Sequence, residues 1–407
     1  MNLGLLGFDD TSAAVIDAAL RAGDRITFAS GLPEDCPARA IPGLGEATWE
    51  QLLDPEACDA VVVAAAGWNE ERAAAVRALV QAGRPLLVAH PLEASMLFAY
   101  ELDMIRRDSG AVIVPFLPDR LDPGVRAMRD WIGARAGRVE SIILERRLRD
   151  RTRASVQREF CRDADVARVL VGPPERLFTL GAADPDSAWS TLAVGLSRAG
   201  QPTVRWQVVR ADAPGLSVTA MAADGTARLV HAPAPDGTAA PGVWTFDGPG
   251  VTPRPATASD GAVAMLGVLR DALLGVPPST DPPPATWDDA ARAIELAETI
   301  PRSLARGRAI DLHQEEFTEL GTFKGTMASL GCGIVLAALV IGVLAALVGG
   351  IARETGWEFG ERIAGLWPWV VLGAMALFLL LQFLPALVAP AGRPAAGDGG
   401  SGKPGKP

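Results

Sequence analysis

The sequence predicts an α/β fold: a Rossmann-like, doubly wound parallel sheet, then an α+β domain with a largely antiparallel open sheet, then two transmembrane helices. Three observations carry this. Over residues 1–118, short apolar runs alternate with helical patterns, as βαβ units do. Over 119–312, strand-like runs follow one another with few helices between them, as in antiparallel sheets. Near the C-terminus, two long stretches carry no charge.

The elements follow in order. Residues 3–6 form an apolar run ending at Gly7, and Ala14, Val15, Ala18 and Ala19 then recur at helical spacing up to a stop at Gly23. RITFA at 25–29 reads as the second strand. AVVVAA at 60–65 is a continuous β-branched run, expected of a strand buried on both faces. Residues 70–81 predict a helix closed by Gly83, 85–88 a strand, 94–107 a helix and 111–115 a strand. In the second domain strands are expected at 139–148, 175–181, 203–210, 215–221, 226–231 and 242–246, with a helix at 155–171 stopped by Gly172, Pro173 and Pro174. Helices at 260–274 and 287–306 flank a Pro-rich loop, 277–284.

After a juxtamembrane linker at 313–326, residues 327–352 and 363–389 are uncharged and apolar on every face, each long enough for the roughly 20 residues that cross a bilayer. Trp367 and Trp369 fall where an interfacial aromatic belt would place them. The loop 353–362 is short, so the two spans form a hairpin. Its flanks carry Arg308, Lys324, Arg393, Lys403 and Lys406 against Arg353 and Arg362 in the loop, which favours both termini and the soluble part in the cytoplasm. The start MNLGLLGFDD has neither a basic n-region nor a long apolar core, so no secretory signal is expected. The Gly/Pro-rich tail, 390–407, is expected to be disordered.

The composition narrows the function. Net charge −10 argues against a nucleic-acid partner. The four cysteines form no CxxC pair, which excludes a zinc ribbon and gives no disulfide framework. No metal ligand set is assigned. Lysine occurs only at 324, 403 and 406, so no catalytic lysine exists in the first 323 residues.

Three stretches resemble the glucose–fructose oxidoreductase/inositol dehydrogenase (Gfo/Idh/MocA) family over residues 1–312: DAVVVAAAGWNEERAAAVRALVQAGRPLLVAHPL (59–92), RDADVARVLVGPPERLFTLGA (162–182) and TWDDAARAIELAETIPRSLARGRAIDL (286–312). The resemblance implies a nicotinamide cofactor on the first domain and a sugar-like substrate over the second domain's sheet. It also implies a homo-oligomer formed through that open sheet.

The family's functional positions are altered here. The GxGxxG fingerprint falls on Gly7–Ser12: Gly7 fits, but Asp9 and Ser12 replace the second and third glycines. No acidic ribose clamp stands near Ser30. The Glu-Lys-Pro motif reads Ala89, His90, Pro91. The Asp-x-x-x-His-x-x-Asp pattern falls on Arg158, Arg162 and Asp165, so an arginine that stays protonated replaces the acid–base histidine. Catalytic candidates are thus only His90, Arg162 and Asp165; cofactor candidates are Gly7, Asp9, Ser12 and Pro91. His90 is either an acid–base substitute with an ordinary pKa near 6.5 or a capping residue of its loop. Arg162, Asp163 and Asp165 are either an ion-pair cluster for a polyol or anion, or a solvated helix face. The basic run Arg146–Arg153 is read as a half-exposed strand end.

Together these readings predict a membrane-anchored oxidoreductase homologue, catalytically degenerate and acting in binding or assembly, with no cofactor. Asp9 and Asp10 are expected to fill the turn and to leave no NAD or NADP affinity below millimolar. The alternatives are an active NAD(P)-dependent oxidoreductase on a sugar-like substrate with an altered cofactor site, and a membrane-bound sensor of a sugar-like ligand.

Overall fold

The computed structural model describes residues 1–181, 188–232, 243–249 and 260–312, with seven residues between 343 and 354. Two compact units are present, Met1–His313 and Gln314–Pro407. The fold below is that of the first.

Strands β1 (Asn2–Leu6), β2 (Arg25–Ser30), β3 (Gly45–Glu46), β4 (Ala60–Val63), β5 (Leu86–Ala89) and β6 (Ile113–Phe116) make a wholly parallel sheet in the order β3-β2-β1-β4-β5-β6. This is the doubly wound order, whose switch point lies between β1 and β4. Helices α1 (Asp10–Arg21), α2 (Glu70–Gln81) and α3 (Met96–Ser109) connect the strands. The β4 run is buried along its whole length because both sheet faces are covered. Leu3, Leu5, Val62, Leu87 and Val114 share one core with α1. Leu6, Val61, Val63, Leu86 and Val88 share another with α2 and α3.

Helix α4 (Pro123–Gly133) leads to β7 (Val139–Leu148), and α5 (Arg153–Val171) to β8 (Arg176–Leu180), β9 (Ala193–Ser197), β10 (Thr203–Arg210), β11 (Gly215–Ala222), β12 (Gly225–Ala232) and β13 (Val243–Asp247). Then come α6 (Gly261–Leu273), α7 (Trp287–Arg306) and β14 (Ile310–Asp311). The second sheet runs β13-β12-β11-β7-β10-β9-β8-β14. It is mixed: β7 and β10 pair in parallel and the other pairs are antiparallel.

Three features depart from the sequence reading. Helix α4 sits in a stretch read as nearly helix-free. Its PG start hides it, yet Pro123 occupies the first turn, where a missing N–H costs nothing, and the Asp122 side chain accepts from Gly124 N. Strand β9 escaped notice because Gly195 interrupts AVGLS. That glycine is required, since the Phe178 ring of β8 lies where any Cβ at 195 would stand. Helix α6 follows the second sheet in the chain but packs on the first: Ala262, Met265, Leu266 and Leu269 join the core of α1.

Among the described residues no helix is long and apolar enough to cross a membrane. The uncharged runs 327–352 and 363–389 lie outside the described residues, apart from six residues of the first, as do the linker 313–326, the loop 353–362 except Glu354, and the tail 390–407.

Candidate functional site

The C-terminal ends of the parallel strands bring the predicted residues to one edge of the sheet. Gly7 follows β1 with φ +80°, a conformation that glycine adopts freely. Its N–H donates to Ser30 O at the end of β2 (2.8 Å). Asp9 is the N-cap of α1. Ser12 N donates to Asp9 Oδ1 (2.9 Å), and Asp9 N donates to Ser12 Oγ (2.8 Å), a reciprocal capping box. The second carboxylate oxygen of Asp9 crosses the switch point and accepts from Ala65 N (2.7 Å) and Ala66 N (3.4 Å) in the loop after β4. Asp10 is exposed in the first helical turn, so Asp9 alone fills the turn.

A pyrophosphate at such a turn needs free amides and a helix N-terminus unopposed by negative charge. Here the Asp9 carboxylate opposes such a charge and takes one of those amides, Ser12 N. The guanidinium of Arg72, from α2, lies directly over Gly7, its carbon 2.7 Å from where a Cβ would stand. A phosphate placed at this turn would meet the Asp9 carboxylate and the space that the Arg72 side chain occupies. Arg72 had no signal in the sequence, being one of two arginines on an ordinary helix pattern.

His90 follows β5 and is followed by Pro91 across a cis peptide. His90 is 2% exposed, and its Nε2 has no hydrogen-bond partner. Burial, and then the positive charge of Arg162, push its pKa down to about 3. The imidazole is thus neutral at physiological pH, which corrects the reading of it as an acid–base group of ordinary pKa. Arg162 reaches it from α5, where Nε donates to His90 O (2.9 Å) and Nη1 to Glu159 Oε1 (3.3 Å).

Asp163 and Asp165 are not a solvated helix face; both are fully buried. Asp165 pairs through both oxygens with Arg120, which also reaches Asp289 of α7 (3.1 Å). Arg168 adds a bond to the same Asp289 (2.8 Å). Asp165 thus ties α5 to α7 through Arg120. Asp163 accepts from Arg146 Nε (2.8 Å) and Trp206 Nε1 (2.7 Å). Arg146, part of the basic run read as a half-exposed strand end, is on the buried side of β7 as an ion-pair partner, its proton held more tightly by Asp163 despite the cost of burial. Nearby, burial raises the pKa of Asp119, against the opposing charges of His231 and Arg146; Trp244 Nε1 donates to it (3.4 Å). Such pairs between distant strands and helices have no local sequence signal.

Among the predicted residues, the structure brings together Gly7, Asp9 and Ser12 at the β1 turn, and His90, Pro91 and Arg162 at the end of β5. It assigns Asp165 to scaffolding.

No family model matches this sequence, and no curated protein does. Solved structures do. GenD2 from gentamicin A biosynthesis, in complex with NAD, superposes with TM-score 0.60 at 18% identity, covering 77% of this chain and 96% of that one. A candidate myo-inositol dehydrogenase from Sinorhizobium meliloti 1021 gives TM-score 0.59 at 19% identity, over 77% of this chain and 100% of its own. A probable dehydrogenase from Thermotoga maritima gives 0.59 at 15%, over 76% and 98%. These likenesses show that the chain shares its two-sheet fold with these three proteins.

Proposed function

We propose that the chain is a Gfo/Idh/MocA-type oxidoreductase homologue that has kept the scaffold and lost proton transfer, and that it works in binding or assembly. The observation that carries this is His90. Oxidising a hydroxyl requires a group that takes its proton in the transition state, with a pKa near the working pH. His90, at the lysine position of the motif, is buried with a pKa of about 3. Arg162, at the histidine position, stays protonated. The two runs 327–352 and 363–389 support a membrane hairpin with both termini in the cytoplasm, and the open second sheet supports a homo-oligomer.

A second reading is an active NAD(P)-dependent oxidoreductase on a sugar-like substrate, and the comparisons favour it over the first. The solved structures similar to this chain include a candidate myo-inositol dehydrogenase, a probable dehydrogenase and GenD2, which is in complex with NAD. Fold and local chemistry point in different directions, and the first reading follows the local chemistry. At under 20% identity the fold can persist while individual side chains have changed.

Absorbance at the nicotinamide band separates the two. Full-length protein with NAD+ or NADP+ and a panel of sugars and polyols is expected to show no change above a protein-free control. Turnover that is lost in Arg162→Ala would establish the second reading.

A further inference from the structure

We infer that Asp9 and Arg72 form a built-in occupant of the switch-point crevice, so that this half of the fold is complete without a dinucleotide. This deepens the non-catalytic reading and rests on it only for the fate of bound cofactor, not for the geometry.

Three loops meet at the crevice, after β1, β2 and β4. Each carries a glycine in the left-handed region: Gly7 (φ +80°), Gly31 (φ +68°) and Gly67 (φ +70°). Bare backbone on three sides makes a concavity of the kind a ligand enters in open α/β sheets. Here one guanidinium lies in it. A Cβ at Gly7 would stand 2.7 Å from the Arg72 guanidinium carbon, one at Gly31 3.4 Å from Nη2, and one at Gly67 3.5 Å from Nη1. Arg72 Nη1 donates to Ala66 O. Ala66 N donates to Asp9, so the same loop residue binds both members.

The charges complement each other. The Asp9 carboxylate accepts from Ser12 N, in the first turn of α1, and from Ala65 N and Ala66 N across the switch point, so a negative charge already stands where an anion would approach the helix N-terminus. Burial weakens the hold of Arg72 on its proton, and the negative charge of Asp9 opposes that. One side chain thus supplies the anion, and the other fills the space above it. The adjoining loops are latched too: Trp68 Nε1, after β4, donates to Glu93 Oε2, after β5 (3.2 Å).

The test is thermal unfolding of the full-length chain, titrated with NAD+ and NADP+. Wild type is expected to show no shift in Tm up to millimolar dinucleotide. The double variant Asp9→Gly/Arg72→Ala is expected to show a saturable upward shift at concentrations at least tenfold lower. Should it fail to fold, Asp9→Asn/Arg72→Met keeps the cap and the aliphatic stem while removing both charges, and carries the same expectation. A saturable shift of wild type at micromolar NAD+, or no gain in either double variant, would overturn the inference. The two readings fail separately. Binding by wild type without turnover removes the built-in occupant and leaves the loss of proton transfer standing. Turnover by the double variant does the reverse.

Discussion

At His90, burial decides the chemistry of the residue. The unfolded chain takes up a proton there near pH 6.5, and the folded chain only near pH 3. With the folded pKa depressed, the unfolded state binds more protons throughout that window. Stability is therefore full above about 6.5 and is lost as pH falls toward 3. The loss amounts to about 1.4 kcal/mol per pH unit, or about 2 kcal/mol by pH 5. Urea unfolding of full-length protein at pH 7 and pH 5 checks this. His90→Gln, which cannot titrate, is expected to lose about 2 kcal/mol less than wild type over that interval. Identical losses would mean that His90 is accessible to protons in the folded state.

At the scale of elements, α7 shows how one cap serves two purposes. Thr286 accepts from Asp289 N (3.2 Å), and Asp289 accepts from Thr286 N (3.0 Å), closing a capping box. Asp289 also receives Arg120 and Arg168, so the cap orients the carboxylate that ties α7 to α5. These charges hold Asp289 below the usual carboxylate range, against the effect of burial. Thr286→Ala is expected to cost about 1 kcal/mol in chemical denaturation, the ordinary worth of a helix cap. Asp289→Ala is expected to cost more, because it leaves buried Arg120 with one carboxylate instead of two. Equal effects would show that the ion pairs add nothing to the cap.

For the whole molecule, the first unit holds both hydrophobic cores within Met1–His313. A chain ending at residue 312 is therefore expected to fold and remain in the supernatant after high-speed centrifugation. The full-length chain is expected to sediment with membranes, through the uncharged runs 327–352 and 363–389. A cysteine placed in 353–362 should be labelled from outside intact cells while residues 1–312 stay protected. A full-length chain found in the supernatant would remove the anchor, and a labelled first unit would invert the topology.

The sequence by itself determined five of the six strands of the βαβ half, because a parallel sheet covered on both faces demands continuous apolar runs such as 60–65; the two-residue edge strand β3 carries no such run. It also placed acidic side chains in the turn before α1, where the structure makes Asp9 the cap, since capping is a matter of a few neighbouring residues. It showed which chemical groups are missing from the motif positions. Only the tertiary structure decided what replaced them. The low pKa of His90 comes from burial and from Arg162, 72 positions away. The roles of Asp163 and Asp165 come from Arg146, Trp206 and Arg120, on other elements. Arg72 reaches the glycines of three loops only after the strands have aligned. Local patterns record which face of an element is apolar. Desolvation and charge pairing depend on what the chain brings together from a distance, and no spacing in the sequence encodes that.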